Sequence, residues 1–203
     1  MKKAGSHSFQ RISLNRLLIT LLFLCSFLRT MIFRLRIRNQ QDMISHYPFP
    51  DNINKMITIN IYNPKHSLET TEITKLTVFL FNNLAQYGDQ ETDIRKAIDY
   101  ALGKENKPGG MIVTATDQQT GNLKGVCVVN KTGMSGYIPE NILVYIATDR
   151  ESRGTGIGKN IMQNVIEITE GDIALHCESE NPARHLYEKL GFQSKYLEMR
   201  LKK

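Results

Sequence analysis

The chain has 203 residues, 41% hydrophobic and 23% charged, which suits one folded domain with room for an appendage. Its net charge of +6 is unevenly placed: residues 1–55 hold 9 Lys/Arg against 2 Asp/Glu, while residues 56–203 hold 17 against 18. The basic character belongs to an N-terminal arm and the body is neutral, which removes the charge argument for a nucleic-acid-binding domain. Cys25, Cys127 and Cys177 are scattered without metal-ligand spacing. An odd, sparse set fits buried thiols, no bound metal and a reducing, cytoplasmic setting.

The arm carries a 12-residue apolar run, Leu17 to Leu28, between Lys2, Lys3, Arg11 and Arg16 on one side and Arg29, Arg34, Arg36 and Arg38 on the other. The run falls short of the roughly 20 residues that span a bilayer. Arginines follow it where a signal peptide would place small residues. Three readings stay open: a membrane-surface anchor, an atypical uncleaved signal, or an extension upstream of an internal start at Met31, Met43 or Met56. Membrane contact and a membrane-associated location are expected only through residues 1–55.

From residue 56 the chain reads as one domain. "ITINIYN" (57–63) alternates as a half-buried strand. Residues 71–88 place Ile73, Leu76, Leu80 and Leu84 at helical spacing, and residues 92–103 repeat this with Ile94, Ala97, Ile98 and Ala101. The period then changes. Strands are expected over 111–117 and 123–130, around the turn "QQTGN", and over 142–148, whose near-continuous apolar run suggests burial on both faces. A helix over 156–170, a strand over 172–178, a short helix over 181–191 and a final alternating strand over 194–201 complete the order. This is an α/β pattern, mainly antiparallel in its first half, with a strand–helix–strand unit late.

Between strand 142–148 and its helix lies "ESRGTGIGKN" (151–160), with Gly154, Gly156 and Gly158 at alternate positions. A strand running into a helix start is an anion address, because free N–H groups and the positive helix end meet there. Arg153 and Lys159 are placed to add charge. The P-loop pattern fails, since Asn160 follows Lys159 and Arg153 holds the first glycine position; the dinucleotide pattern fails at Lys159. Taken alone, the stretch equally fits a glycine-rich corner without a ligand.

"NPARHLYEKLGF" (181–192) opens with Asn181 as N-cap and Pro182 at the first helical position, and Gly191 suits its end. Ala183, Leu186, Tyr187 and Leu190 form its apolar face, which leaves a tyrosine hydroxyl turned inward. A core aromatic is the plain reading of Tyr187 by itself.

Together, "SRGTGIGKNIM" and "NPARHLYEKLGF", with a strand before each, resemble the GNAT superfamily of N-acetyltransferases. The resemblance covers about residues 57–201, with its core signal in 142–192. It implies a mainly antiparallel central sheet flanked by helices, with a splayed strand pair that holds acetyl-CoA. It places the pyrophosphate on the backbone of Arg153, Gly154, Thr155, Gly156, Ile157 and Gly158, and the pantetheine along the main chain of Ile146, Ala147 and Thr148. Asn181 takes the position that contacts the cofactor arm, beside its capping role. Tyr187 takes the position of a general acid to the CoA thiolate. The general base varies in the family; Glu140 and Glu178 are the carboxylate candidates, with His176 and His185 weaker. Arg150 stands where the family often has proline.

The implied activity is transfer of an acetyl group from acetyl-CoA to an amine of a small molecule, peptide or protein. A non-catalytic acyl-CoA-binding regulatory module is the alternative. A homodimer is a habit of the family, and the resemblance does not name the acceptor.

Overall fold

The computed structural model describes residues 56–201; the expectations placed on residues 1–55 lie outside them. Five strands form one sheet in the order β1-β2-β3-β4-β5: β1 (Ile57–Tyr62), β2 (Gly110–Asp117), β3 (Leu123–Lys131), β4 (Asn141–Thr148) and β5 (Ile173–Leu175). The first four are antiparallel neighbours, and β5 joins β4 in parallel. Helices α1 (Thr70–Leu84) and α2 (Glu91–Ala101) connect β1 to β2. Helix α3 (Ile157–Ile168) connects β4 to β5, and α4 (Arg184–Lys189) follows β5.

The apolar spacing decides which face each helix covers. Ile73, Leu76 and Leu80 of α1 and Ile94, Ile98 and Ala101 of α2 pack on Ile112, Val126, Val128, Tyr145 and Ala147. Ile157, Ile161, Met162 and Val165 of α3, with Tyr187 of α4, cover the other face on Val113, Ala115, Cys127, Val129 and Leu143. The sheet is thus a middle layer between two helical layers. Gly125 lets α3 lie directly on β3: a Cβ there would stand 2.5 Å from Ile161 Cδ1.

β4 is not a regular ladder. Val128 faces Tyr145 while Val129 faces Leu143, so Val144 is an extra residue in the strand, a β-bulge. The bulge breaks the alternation. Leu143 joins the α3 side, and Tyr145 turns to the α1–α2 side.

Two sequence expectations change. The strand expected over 172–178 pairs only over Ile173–Leu175. Residues 194–201 form no strand; Tyr196, Leu197, Met199 and Leu201 are 79–87% exposed. Their alternation describes a two-faced segment, but a strand also needs a ladder partner, and none pairs with it among the described residues. The remaining elements fall within a few residues of expectation. Among the described residues, no helix is long and apolar enough to cross a membrane.

Candidate active site

The parallel pairing of β4 with β5 stops early. Asn141, Ile142 and Leu143 pair with Ile173, Ala174 and Leu175, and β4 then runs on to Thr148 without β5. From Val144 onward β4 keeps its bonds to β3, while its other edge has no neighbouring strand among the described residues. Ile146, Ala147 and Thr148 therefore present backbone N–H and C=O groups along an open edge, as an added extended chain requires.

A short 3₁₀ turn, Arg150–Ser152, ends this strand and leads into the glycine loop. Gly154 and Gly156 both have positive φ, at 76° and 95°, so the reversal into α3 needs glycine there. Gly156 is the N-cap of α3, and the first helical bond runs from Asn160 N–H to Gly156 C=O. Among the described residues, the amides of Gly154, Thr155, Gly156, Ile157 and Gly158 donate to no backbone carbonyl. They gather at the positive end of α3, where backbone donors suit an anion. Gly158 is different from the other two. It has no positive φ, and a Cβ there would lie 3.6 Å from Leu186 Cδ2 and 3.6 Å from Thr148 Cγ2, an ordinary contact. Neither the backbone nor packing demands glycine at 158. A bare approach between the end of β4 and α4 is what remains to explain it.

Arg153 is held by two hydrogen bonds. It lies in the loop, but its guanidinium donates to Asn83 C=O at 2.7 Å, and its N–H turns back to Arg150 C=O at 3.4 Å. Arg150 likewise donates to Asn82 C=O at 3.1 Å. Both carbonyls belong to the last turn of α1, where helical partners run out. The arginines tie the glycine loop to the end of α1.

The motif around Tyr187 is explained atom by atom. Asn181 Oδ1 accepts from Ala183 N–H at 2.9 Å, which caps the turn that enters α4. At the other end, Phe192 N–H reaches Tyr187 C=O at 3.0 Å and Gly191 N–H reaches Glu188 C=O at 3.1 Å, with Gly191 at φ 92°. That is a Schellman closure, and its usual apolar contact is present: the rings of Phe192 and Tyr187 meet edge to face at 5.9 Å. Gly191 and Phe192 thus fix the tyrosine ring. Tyr187 is 7% exposed, and its hydroxyl has no hydrogen-bond partner among the described residues. Burial pushes its pKa well above the usual phenol value, with nearby Cys127 and Cys177 adding to the rise, so the phenol stays protonated at neutral pH.

The structure does not bring Glu140 to this end. It precedes β4, so the length of the strand, about 23 Å at 3.3 Å per residue, separates it from Thr148. Its Oε2 accepts from Asp172 N–H at 2.8 Å and packs against Gly171, and these backbone bonds hold its pKa below the usual carboxylate range. Glu140 secures the approach to β5 through this bond. Glu178 is exposed three residues past β5; His185 is exposed 3.7 Å from Glu188. Two residues with a part in this region carried no sequence signal, Tyr145 and Asp89. Tyr145 Oη donates to Asp89 Oδ2 at 2.6 Å across 56 positions of chain.

Residues 108–194 match a family model described as an acetyltransferase (GNAT) domain. The fold is similar to that of a solved "probable acetyltransferase", at 17% identity over 72% of this chain and 99% of that one, with a TM-score of 0.55. It is also similar to a "possible acetyltransferase" from Clostridium difficile 630, at 18% identity over 73% of this chain and 97% of that one, with a TM-score of 0.51. A third likeness is to a protein of Pyrococcus horikoshii OT3, at 22% identity over 70% and 93%, with a TM-score of 0.51. At such identities these likenesses speak to the fold alone. Comparison with curated proteins gives no match. The family match falls on the segment that holds the open strand edge, the glycine loop and the capped tyrosine helix, so that residues 108–194 carry an acetyltransferase (GNAT) domain.

Proposed function

We propose that the chain transfers an acetyl group from acetyl-CoA to the nitrogen of an amine. The observation that carries this reading is Gly158, a glycine that neither backbone nor packing requires, set between Thr148 and Leu186 where the splay meets the glycine loop. The residues present fit the donor. The amides of Gly154, Thr155, Gly156, Ile157 and Gly158 suit its pyrophosphate, and the open edge of Ile146, Ala147 and Thr148 suits its amide-bearing arm. Asn181 keeps its NH₂ group for the arm while its oxygen caps the turn. When bound, acetyl-CoA supplies a thioester carbonyl to which the amine nitrogen bonds as the C–S bond breaks and CoA leaves as a thiolate.

Tyr187 is suited to meet that thiolate. Its hydroxyl is protonated at neutral pH and can donate a hydrogen bond to the departing sulfur; burial makes it a weaker acid, so its part is to stabilise the thiolate by that bond. A thiolate already leaves readily, so the hydroxyl assists the departure without being indispensable. The amine must shed its own proton before it attacks. Glu178, exposed shortly after β5, is a candidate to take it, directly or through water.

The test is release of CoA thiol from acetyl-CoA across a panel of amines. Amine-dependent release by the full chain, reduced in Tyr187→Phe with CoA affinity unchanged, is the expected result. Tight CoA binding with no turnover of any amine would favour a non-catalytic acyl-CoA-binding module.

A further inference from the structure

We infer that Asp89 is the anchor for a second cationic group of the acceptor, so that the preferred acceptors are amines of the diamine kind. This rests on the amine-transfer reading above and adds the acceptor's chemistry to it.

The first observation is the bond itself. Tyr145 lies on β4 just before the open edge that begins at Ile146, and its hydroxyl holds one oxygen of Asp89 at 2.6 Å. The ring is buried in the α1–α2 face of the sheet, while Asp89 is exposed. One carboxylate oxygen is fixed by that bond, and the other makes no hydrogen bond among the described residues. Among the described residues Asp89 has no ion pair. Neighbouring Asp93 is paired with Lys96, and the guanidinium of Arg200, close enough to feel the field of Asp89, pairs with Glu198. A charge held in place by a buried partner and left uncompensated is suited to a cation from outside.

The second observation is where the carboxylate stands. Asp89 lies in the connection between α1 and α2. That connection begins at the carbonyls of Asn82 and Asn83, which Arg150 and Arg153 tie to the glycine loop. Tyr87 Oη in the same connection reaches Glu180 C=O at 3.3 Å, beyond β5. The connection therefore starts from the helix end that the glycine-loop arginines hold, and through Tyr87 it reaches the segment between β5 and α4. Its backbone is strained at Ala85, with φ 53° and ψ −130°, a conformation that persists where the surroundings enforce it and that clusters at functional sites.

The choice of a second cation follows from the chemistry. The reacting nitrogen must be neutral to attack. A carboxylate paired to it would favour its protonated form and oppose the reaction. A cation elsewhere on the acceptor keeps its charge throughout, so an anionic anchor can hold it without that conflict.

The experiment uses the full chain with acetyl-CoA and three probes: pentylamine, 1,5-diaminopentane and a tripeptide containing lysine. The wild type should show a KM for the diamine about tenfold below that for pentylamine, the value of one charge-assisted hydrogen bond. Asp89→Asn, which can still accept from Tyr145, should raise the diamine KM about tenfold, with kcat, pentylamine KM and CoA affinity close to unchanged. Tyr145→Phe, which frees the carboxylate, should raise the diamine KM by a smaller factor. The tripeptide arm tells a peptide source of the cation from a free diamine. Equal KM values for Asp89→Asn and wild type, or equal losses with both simple amines, would overturn the anchor and leave Asp89 as a partner for Tyr145 alone. Turnover of no amine would overturn the amine reading itself, and the anchor with it.

Discussion

Replacing Gly158 with alanine should move stability and function in opposite directions. The new Cβ meets Leu186 and Thr148 at 3.6 Å each, which is ordinary contact and needs no rearrangement. Position 158 lies in the first turn of α3, and alanine is favoured over glycine in a helix interior by about 0.8–1 kcal/mol, an upper bound so near the end. For a chain of this size each kcal/mol is worth roughly 2–4 °C in Tm, so the variant should melt at or slightly above the wild-type temperature. The methyl group projects into the gap between β4 and α4. An anion drawn onto the loop amides would be held off, losing about 1.5–3 kcal/mol for one hydrogen bond to a charged group. That corresponds to roughly ten- to hundredfold in Kd for CoA. Differential scanning fluorimetry and calorimetric titration with CoA measure both quantities on one preparation. A variant that binds CoA as tightly as the wild type would refute the reasoning that glycine is kept at 158 for a ligand. A large drop in Tm would refute it too, by revealing a structural need for the bare backbone.

Three further outcomes follow from the same geometry. Gly191→Ala places a side chain at φ 92°, which should cost about 1–2 kcal/mol and release Phe192 from the Tyr187 ring; thermal melting and amine-dependent thiol release should fall together. Arg153→Gln should weaken CoA binding only a few-fold, because its guanidinium is spent on Asn83 C=O, and a loss beyond about tenfold would show that it reaches the phosphates instead. Stability should fall as pH rises above 9, measured by urea unfolding: burial raises the pKa of Cys127 above 9.0 and those of Tyr145 and Tyr187 above 10.0, so the folded chain keeps protons that the unfolded chain releases. Cys127→Ala should flatten the first part of that decline.

Much of this arrangement was legible in the sequence where the determinants are local. Asn181, Gly191 and Phe192 lie within one turn or two of Tyr187, and capping rules apply to them directly. The glycine loop could be read for the same reason. What the sequence did not show for Glu140 is its bond to Asp172 N–H, which depends on β5 returning beside the start of β4. The bulge at Val144 is a one-residue slip against a strand remote in sequence, and no pattern within residues 142–148 announces it. The contact of Tyr145 with Asp89 spans 56 positions and exists only because α1 and α2 return to the sheet. For residues 194–201, alternation gave a strand signal without the second condition, a neighbouring edge to pair with.

The two arginine ties make the glycine loop and the end of α1 parts of one lever. Arg150 and Arg153 grip the end of α1, and a few residues on the chain carries Ala85 and Asp89. On the proposed function, any displacement of the loop on taking up the donor would reach the α1–α2 connection through two guanidinium groups and one helix end. Thermodynamic reciprocity then fixes a relation that needs no structural detail: whatever factor the donor adds to the acceptor's affinity, the acceptor returns to the donor.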